Sequence, residues 1–124
     1  MKKVILVVAA VLTLAGCKPG EDKAMELAKK EVAEILRDPD SAKFEGIKAP
    51  QIKDNDDGSV TALVCGKVNG KNGFGAYAGY RDFFVEIKMK SKGVFSNSVS
   101  YSLGGKYLNT GDESPPSEFF EKCK

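Results

Sequence analysis

The chain alternates between segments of different hydrophobic period. An uncharged, mostly apolar run from Val4 to Leu14 follows Lys2 and Lys3 and precedes the small residues Ala15 and Gly16. Crossing a bilayer takes about 20 apolar residues, more than this run supplies. Its order of basic, apolar and small residues is the plan of a secretory signal. From Glu21 to Arg37, Ala24, Leu27, Ala28, Val32, Ile35 and Leu36 recur at spacings of three and four, which predicts an amphipathic helix. Glu21 and Asp22 suit its N-terminus and Arg37 its C-terminus, Glu26 and Lys30 are spaced for an ion pair, and Pro39 ends the helix. Beyond it the period shortens. Phe44 to Lys53 predicts a strand that Pro50 interrupts or confines to a sheet edge. Val60 to Val68 is apolar on both faces, as a central strand is. Asp82 to Lys90 alternates, with Phe83, Val85, Ile87 and Met89 on one face. Phe95, Val99, Tyr101 and Leu103 alternate with serines. Ser114, Pro115 and Pro116 can open a short helix, Ser117 to Cys123. The expected fold is α+β: an N-terminal amphipathic helix packed on a small antiparallel sheet, with a short C-terminal helix.

Leu14-Ala15-Gly16-Cys17 resembles the lipobox of bacterial lipoproteins. The resemblance implies cleavage before Cys17, removal of residues 1–16 and lipid on the cysteine, palmitate or a similar acyl chain. Two or more chains hold a protein stably on a membrane. Lys18 in place of Asp implies, for a Gram-negative cell, the periplasmic face of the outer membrane. Residues 17–20 then form a tether and residues 21–124 a single globular domain.

Removal of the signal changes the charge. The 19 Lys and Arg outnumber the 17 Asp and Glu, but losing Lys2 and Lys3 brings the two into balance. No basic stretch interleaved with aromatics points to nucleic acid. With Cys17 assigned to lipid, Cys65 and Cys123 form an even pair in an oxidising compartment and are expected to be bonded; two free buried thiols are the alternative. The chain has no His, which removes the commonest general base and metal ligand. No metal site and no cofactor are expected.

Two stretches belong to a second resemblance. Leu36-Arg37-Asp38-Pro39-Asp40-Ser41-Ala42-Lys43-Phe44 and Val64-Cys65-Gly66-Lys67-Val68-Asn69 through Phe83 are similar to a group of small exported bacterial and prophage lipoproteins. That group carries D-P-x-S-A-x-F, then V-C-G-x-V-N-x-K-N-x-F-G-G-Y; Ala76 stands here for the second glycine. The group implies export and a single domain, and it does not name a function. Within the second stretch, glycines at 66, 70, 73, 75 and 79 alternate with Phe74, Tyr77 and Tyr80 beside Asn69, Lys71 and Asn72. One reading is a binding loop of aromatic platforms and amide hydrogen-bonders. The other is a bulged strand whose aromatics fill the core.

Catalytic candidates are weaker. Ser41, near Asp38 and Asp40, suits turn capping better than a nucleophile, since no base is evident. Asp54-Asn55-Asp56-Asp57-Gly58 lacks calcium-loop spacing and suits a solvated hairpin turn. No pair of carboxylates is singled out by spacing for glycan cleavage. The expected role is a non-enzymatic binding or accessory role in the cell envelope, prophage superinfection exclusion being one version, with an envelope protein as partner. The alternatives are a periplasmic inhibitor of a wall-degrading enzyme, or a carboxylate-dependent glycan hydrolase. Ser102-Leu103-Gly104-Gly105-Lys106 is similar, over those five residues, to the surface loop of lipoprotein lysozyme inhibitors.

Overall fold

The computed structural model describes residues 19–93, 98–109 and 116–123. The signal segment, Cys17, Phe95, Ser114 and Pro115 lie outside the described residues, as do the side chains of residues 118–120. Helix α1 (Glu21–Ile35) leads through one 3-10 turn (Pro39–Ser41) into strands β1 (Lys43–Asp54), β2 (Val60–Asn69), β3 (Arg81–Ser91) and β4 (Val99–Leu108). A six-residue helix, α2 (Ser117–Lys122), precedes Cys123. The sheet is antiparallel throughout, in the order β1-β2-β3-β4.

α1 is shorter than the periodicity predicts. It stops at Ile35, and Leu36 is already extended. Asp38, before Pro39, is extended too, the geometry that proline imposes on its neighbour. Ile35 is thereby left exposed, while Leu36 turns toward Gly70. Glu26 pairs with Lys23 at 3.3 Å, not with Lys30. Strand β1 lies at an edge, and its pairing with β2 shifts register between Glu45 and Lys48 and again between Lys48 and Gln51. Gly46, with φ of +61°, sits in the first irregularity, and Pro50, which has no N–H to offer the ladder, sits in the second.

One face of the sheet carries the core. Ala24, Leu27, Ala28 and Val32 of α1 pack against Val60, Ala62, Val64 and Val68 of β2 and Phe83, Val85, Ile87 and Met89 of β3, all buried. Phe44 meets the Phe83 ring edge-on at 5.9 Å, a favoured aromatic geometry. Tyr101 of β4 ties the strand to the helix, its hydroxyl donating to Glu31 at 2.7 Å. That bond to a carboxylate raises the tyrosine pKa. β4 shifts register between Glu86 and Ile87, where Gly104 sits against the Glu86 carboxylate. Ser102 to Lys106 therefore belong to a bulged strand rather than a surface loop, which removes the basis of the five-residue likeness to lysozyme inhibitors.

The opposite face is partly covered. Leu63 and Cys65 are buried there, and Phe84 stacks on Tyr107 at 5.7 Å. Cys65 is bonded to Cys123, with Cα atoms 5.9 Å apart. The bond holds the segment after α2 against the central strand. At the β1–β2 turn, Asp57 accepts hydrogen bonds from the Ser59 N–H and hydroxyl, and Lys88 lies 3.5 Å away. The Ser59 bonds, followed by the lysine charge, bring the Asp57 pKa to about 2. The acidic cluster is an exposed turn, as its composition predicts.

Candidate functional site

Between β2 and β3 the chain forms a second, smaller hairpin from Gly70 to Gly79. Lys71 pairs with Tyr77 across it. The Asn72 N–H donates to Ala76 O at 2.8 Å, the Gly75 N–H to Asn72 O at 3.0 Å and the Ala78 N–H to Gly70 O at 3.2 Å. Gly75 and Gly79 have φ of +79° and +106°, a region that side chains with a Cβ rarely enter. Glycine is required at both places for the chain to turn.

The two asparagines brace this hairpin from inside. The Asn72 side-chain oxygen accepts the N–H groups of Phe74 and Ala76 at 2.9 and 3.2 Å. The Asn69 side-chain oxygen accepts the Gly79 N–H at 3.0 Å. Their composition suggests amides offered to a partner, yet the oxygens of both are used within the loop. An asparagine carboxamide readily mimics a turn's backbone acceptor.

The two sequence stretches of the second resemblance meet at this point. Ser41 donates through its hydroxyl to Asp38 O at 2.7 Å and accepts the Lys71 N–H at 2.9 Å. It thus joins the 3-10 turn to the hairpin, a wider part than the local cap expected of it. The Tyr77 hydroxyl donates to Ser41 O at 3.1 Å. The ammonium of Lys43 lies 4.4 Å from the Tyr77 ring centre and that of Lys71 5.7 Å, within cation–π range. Tyr77 is therefore partly engaged, Tyr80 is about half exposed, and Phe74 at the apex is 97% exposed. None of the three aromatics fills the core, so the bulged-strand reading does not describe them.

At the base of the hairpin, where it faces the end of α1, lies an open cleft of about 330 Å³. Leu36 and Ala78 give it accessible apolar surface, and Arg37, Lys71 and Arg81 bring cationic side chains to it. Arg37 and Arg81 were not recognisable as site residues from their positions in the chain. The signal available is compositional: every other basic residue is lysine.

Among the described residues no group of three or more His, Cys, Asp or Glu is placed to hold a metal ion, and no helix is long and apolar enough to cross a membrane. Comparison with protein-family models, curated proteins and solved structures finds no match.

Proposed function

We propose that this protein is a lipid-anchored envelope module that acts by recognition, presenting the Gly70–Gly79 hairpin to a partner. The observation that carries the reading is Phe74, 97% exposed at the tip of a hairpin whose conformation is fixed by main-chain and asparagine hydrogen bonds. A large apolar ring held in water is unfavourable for the free protein. It is of use when a partner supplies a pocket, and aromatic anchors in pockets dominate many interfaces. Pre-ordering the loop lowers the entropy lost on binding.

The anchor would join the chain at the end of α1 opposite the hairpin. Lipid on Cys17 would sit just before Glu21, the first residue of α1. The hairpin packs beside Leu36 and Arg37, just past the helix's other end. At 1.5 Å per residue, the 15 residues of α1 separate those ends by about 22 Å. The hairpin would thus sit about one helix length from the attachment point, in the periplasm if the anchor lies in the inner leaflet of an outer membrane. A separation of that size leaves room for a partner in the envelope to reach the hairpin.

A photo-crosslinking amino acid placed at position 74 of the lipidated protein tests the reading in intact envelopes, with the same group at Asp56 as control. A discrete adduct at 74 and none at 56 is expected. Equal, diffuse labelling from both positions would overturn it. Feeding cells a clickable palmitate analogue tests the anchor itself: the label should require Cys17 and vanish in Cys17→Ser.

A further inference from the structure

We infer that the cleft at the base of the hairpin is a binding site for an oxyanion, a carboxylate or phosphate group carried on a ligand with an apolar portion. The inference extends the recognition reading by naming a chemistry, and its measurement does not depend on that reading.

The chain contains 19 basic residues, of which only Arg37 and Arg81 are arginines. They lie far apart in sequence, one just after α1 and one at the start of β3, yet both line this one cleft. Lysine serves everywhere that a solvated charge suffices. Arginine differs in its planar fork, which matches two oxygens of a carboxylate or phosphate at once and is more weakly hydrated. Lys71 adds a third cation, and no Asp or Glu lines the cleft. Neither arginine forms an ion pair among the described residues. The mature chain carries balanced charge, so three cations without an acid are a local segregation and not a reflection of overall charge.

The Arg37 guanidinium also lies close to the hairpin. A Cβ at Gly73 would lie 3.0 Å from Arg37 Cζ and 3.2 Å from Nε, so a side chain there would crowd the guanidinium by a few tenths of an ångström. Leu36 and Ala78, which line the same cleft, provide apolar contact for the remainder of a ligand.

Having only two arginines makes the test direct. The lipidated protein, labelled with ¹⁵N-arginine and held in zwitterionic nanodiscs, should give two Nε–Hε signals. It is titrated at constant ionic strength with inorganic phosphate, with an N-acetylated dipeptide bearing a free carboxylate, and with chloride as control. Both signals should move together and saturate with phosphate, the dipeptide or both, and not with chloride; which probe binds more tightly separates a phosphate source from a carboxylate source. Arg81→Lys, which keeps the charge, should raise the Kd roughly tenfold, the loss expected of a charge-assisted bidentate pair. Gly73→Ala, which crowds the Arg37 guanidinium without altering charge, should weaken binding in the same direction by a smaller factor. Non-saturating shifts identical for all three anions, movement of one arginine alone, or an unchanged Kd in both variants would overturn the inference. Saturable binding here with no adduct at position 74 would leave the anion site standing and remove the recognition role of the apex.

Discussion

Replacing Gly66 with alanine sets two opposed effects against each other, and the structure decides between them. Gly66 lies in β2 opposite Phe83. A Cβ built there falls 3.0 Å from Ile47 Cγ1, 3.2 Å from Ile47 Cα and 3.2 Å from Phe83 Cε1. The Ile47 side chain can rotate. Its Cα belongs to the backbone of β1, and Phe83 is fully buried among core residues. Relief therefore requires β1 to move or the core to repack, and overpacking of this kind costs about 1–3 kcal/mol. Against it stands the stiffening of the unfolded chain, worth about 0.4–1 kcal/mol where the backbone accepts alanine, as it does at a strand position without positive φ. The net expectation is a loss of about 1–2 kcal/mol. For a domain of this size that lowers Tm by roughly 5–15 °C. Urea denaturation followed by far-UV circular dichroism, with the disulfide intact, measures it; the midpoint should fall with the slope unchanged. A Gly66→Ala variant as stable as the parent would show that β1 yields freely and that the contact does not constrain the sheet.

The disulfide closes a sequence separation of 58, for which the chain-entropy relation gives about 4 kcal/mol; replacing Cys65 and Cys123 together by alanine should lower the free energy of unfolding by about that amount, and a loss under about 1 kcal/mol would refute the estimate. Asn72→Ala should speed hydrogen exchange at the Phe74 and Ala76 amides while leaving global stability within about 1 kcal/mol, since water can replace the lost acceptor in an exposed loop; unchanged exchange would mean that Asn72 does not brace the hairpin. Asp57 has its pKa lowered from 3.8 to about 2 in the folded state, so its contribution is present above pH 3.8 and is lost as pH falls through about 2. Asp57→Asn should flatten the dependence of Tm on pH between about 4 and 2, and identical slopes in the two proteins would count against the Ser59 bonds as its cause.

Much of the scaffold could be read from period alone. The alternation of Phe83, Val85, Ile87 and Met89 marks the core face of β3 correctly, because burial on one face of a strand imposes period two. Pro50 announced an edge for the equally local reason that it cannot donate to a ladder. The candidate site was legible only in part. Its glycines and aromatics stood out, and Phe74, Tyr77 and Tyr80 are indeed outside the core. The roles of Asn69 and Asn72 did not, because a carboxamide can serve a loop or a ligand equally well. Arg37 and Arg81 meet only through the tertiary fold, and no local pattern reports that meeting. The bulge at Gly104 was hidden for a related reason: the serine alternation ends at Ser102, before the pairing slips between Leu103 and Gly105, and so carries no sign of it.

The order β1-β2-β3-β4 has a consequence for how quickly the domain is made. Every strand's partner is its neighbour along the chain, so no pairing waits for a long crossover to close. Isolated hairpins form in about 1–10 μs, and sheets built from such local pairs fold faster than those of higher contact order. Folding can start at β2–β3, the pairing that runs from Val60–Met89 to Val68–Arg81 without a register shift. α1 then docks on a surface that already exists. Substitutions in that central pairing should mainly slow folding, and substitutions on the buried side of α1, such as Val32→Ala, should mainly hasten unfolding.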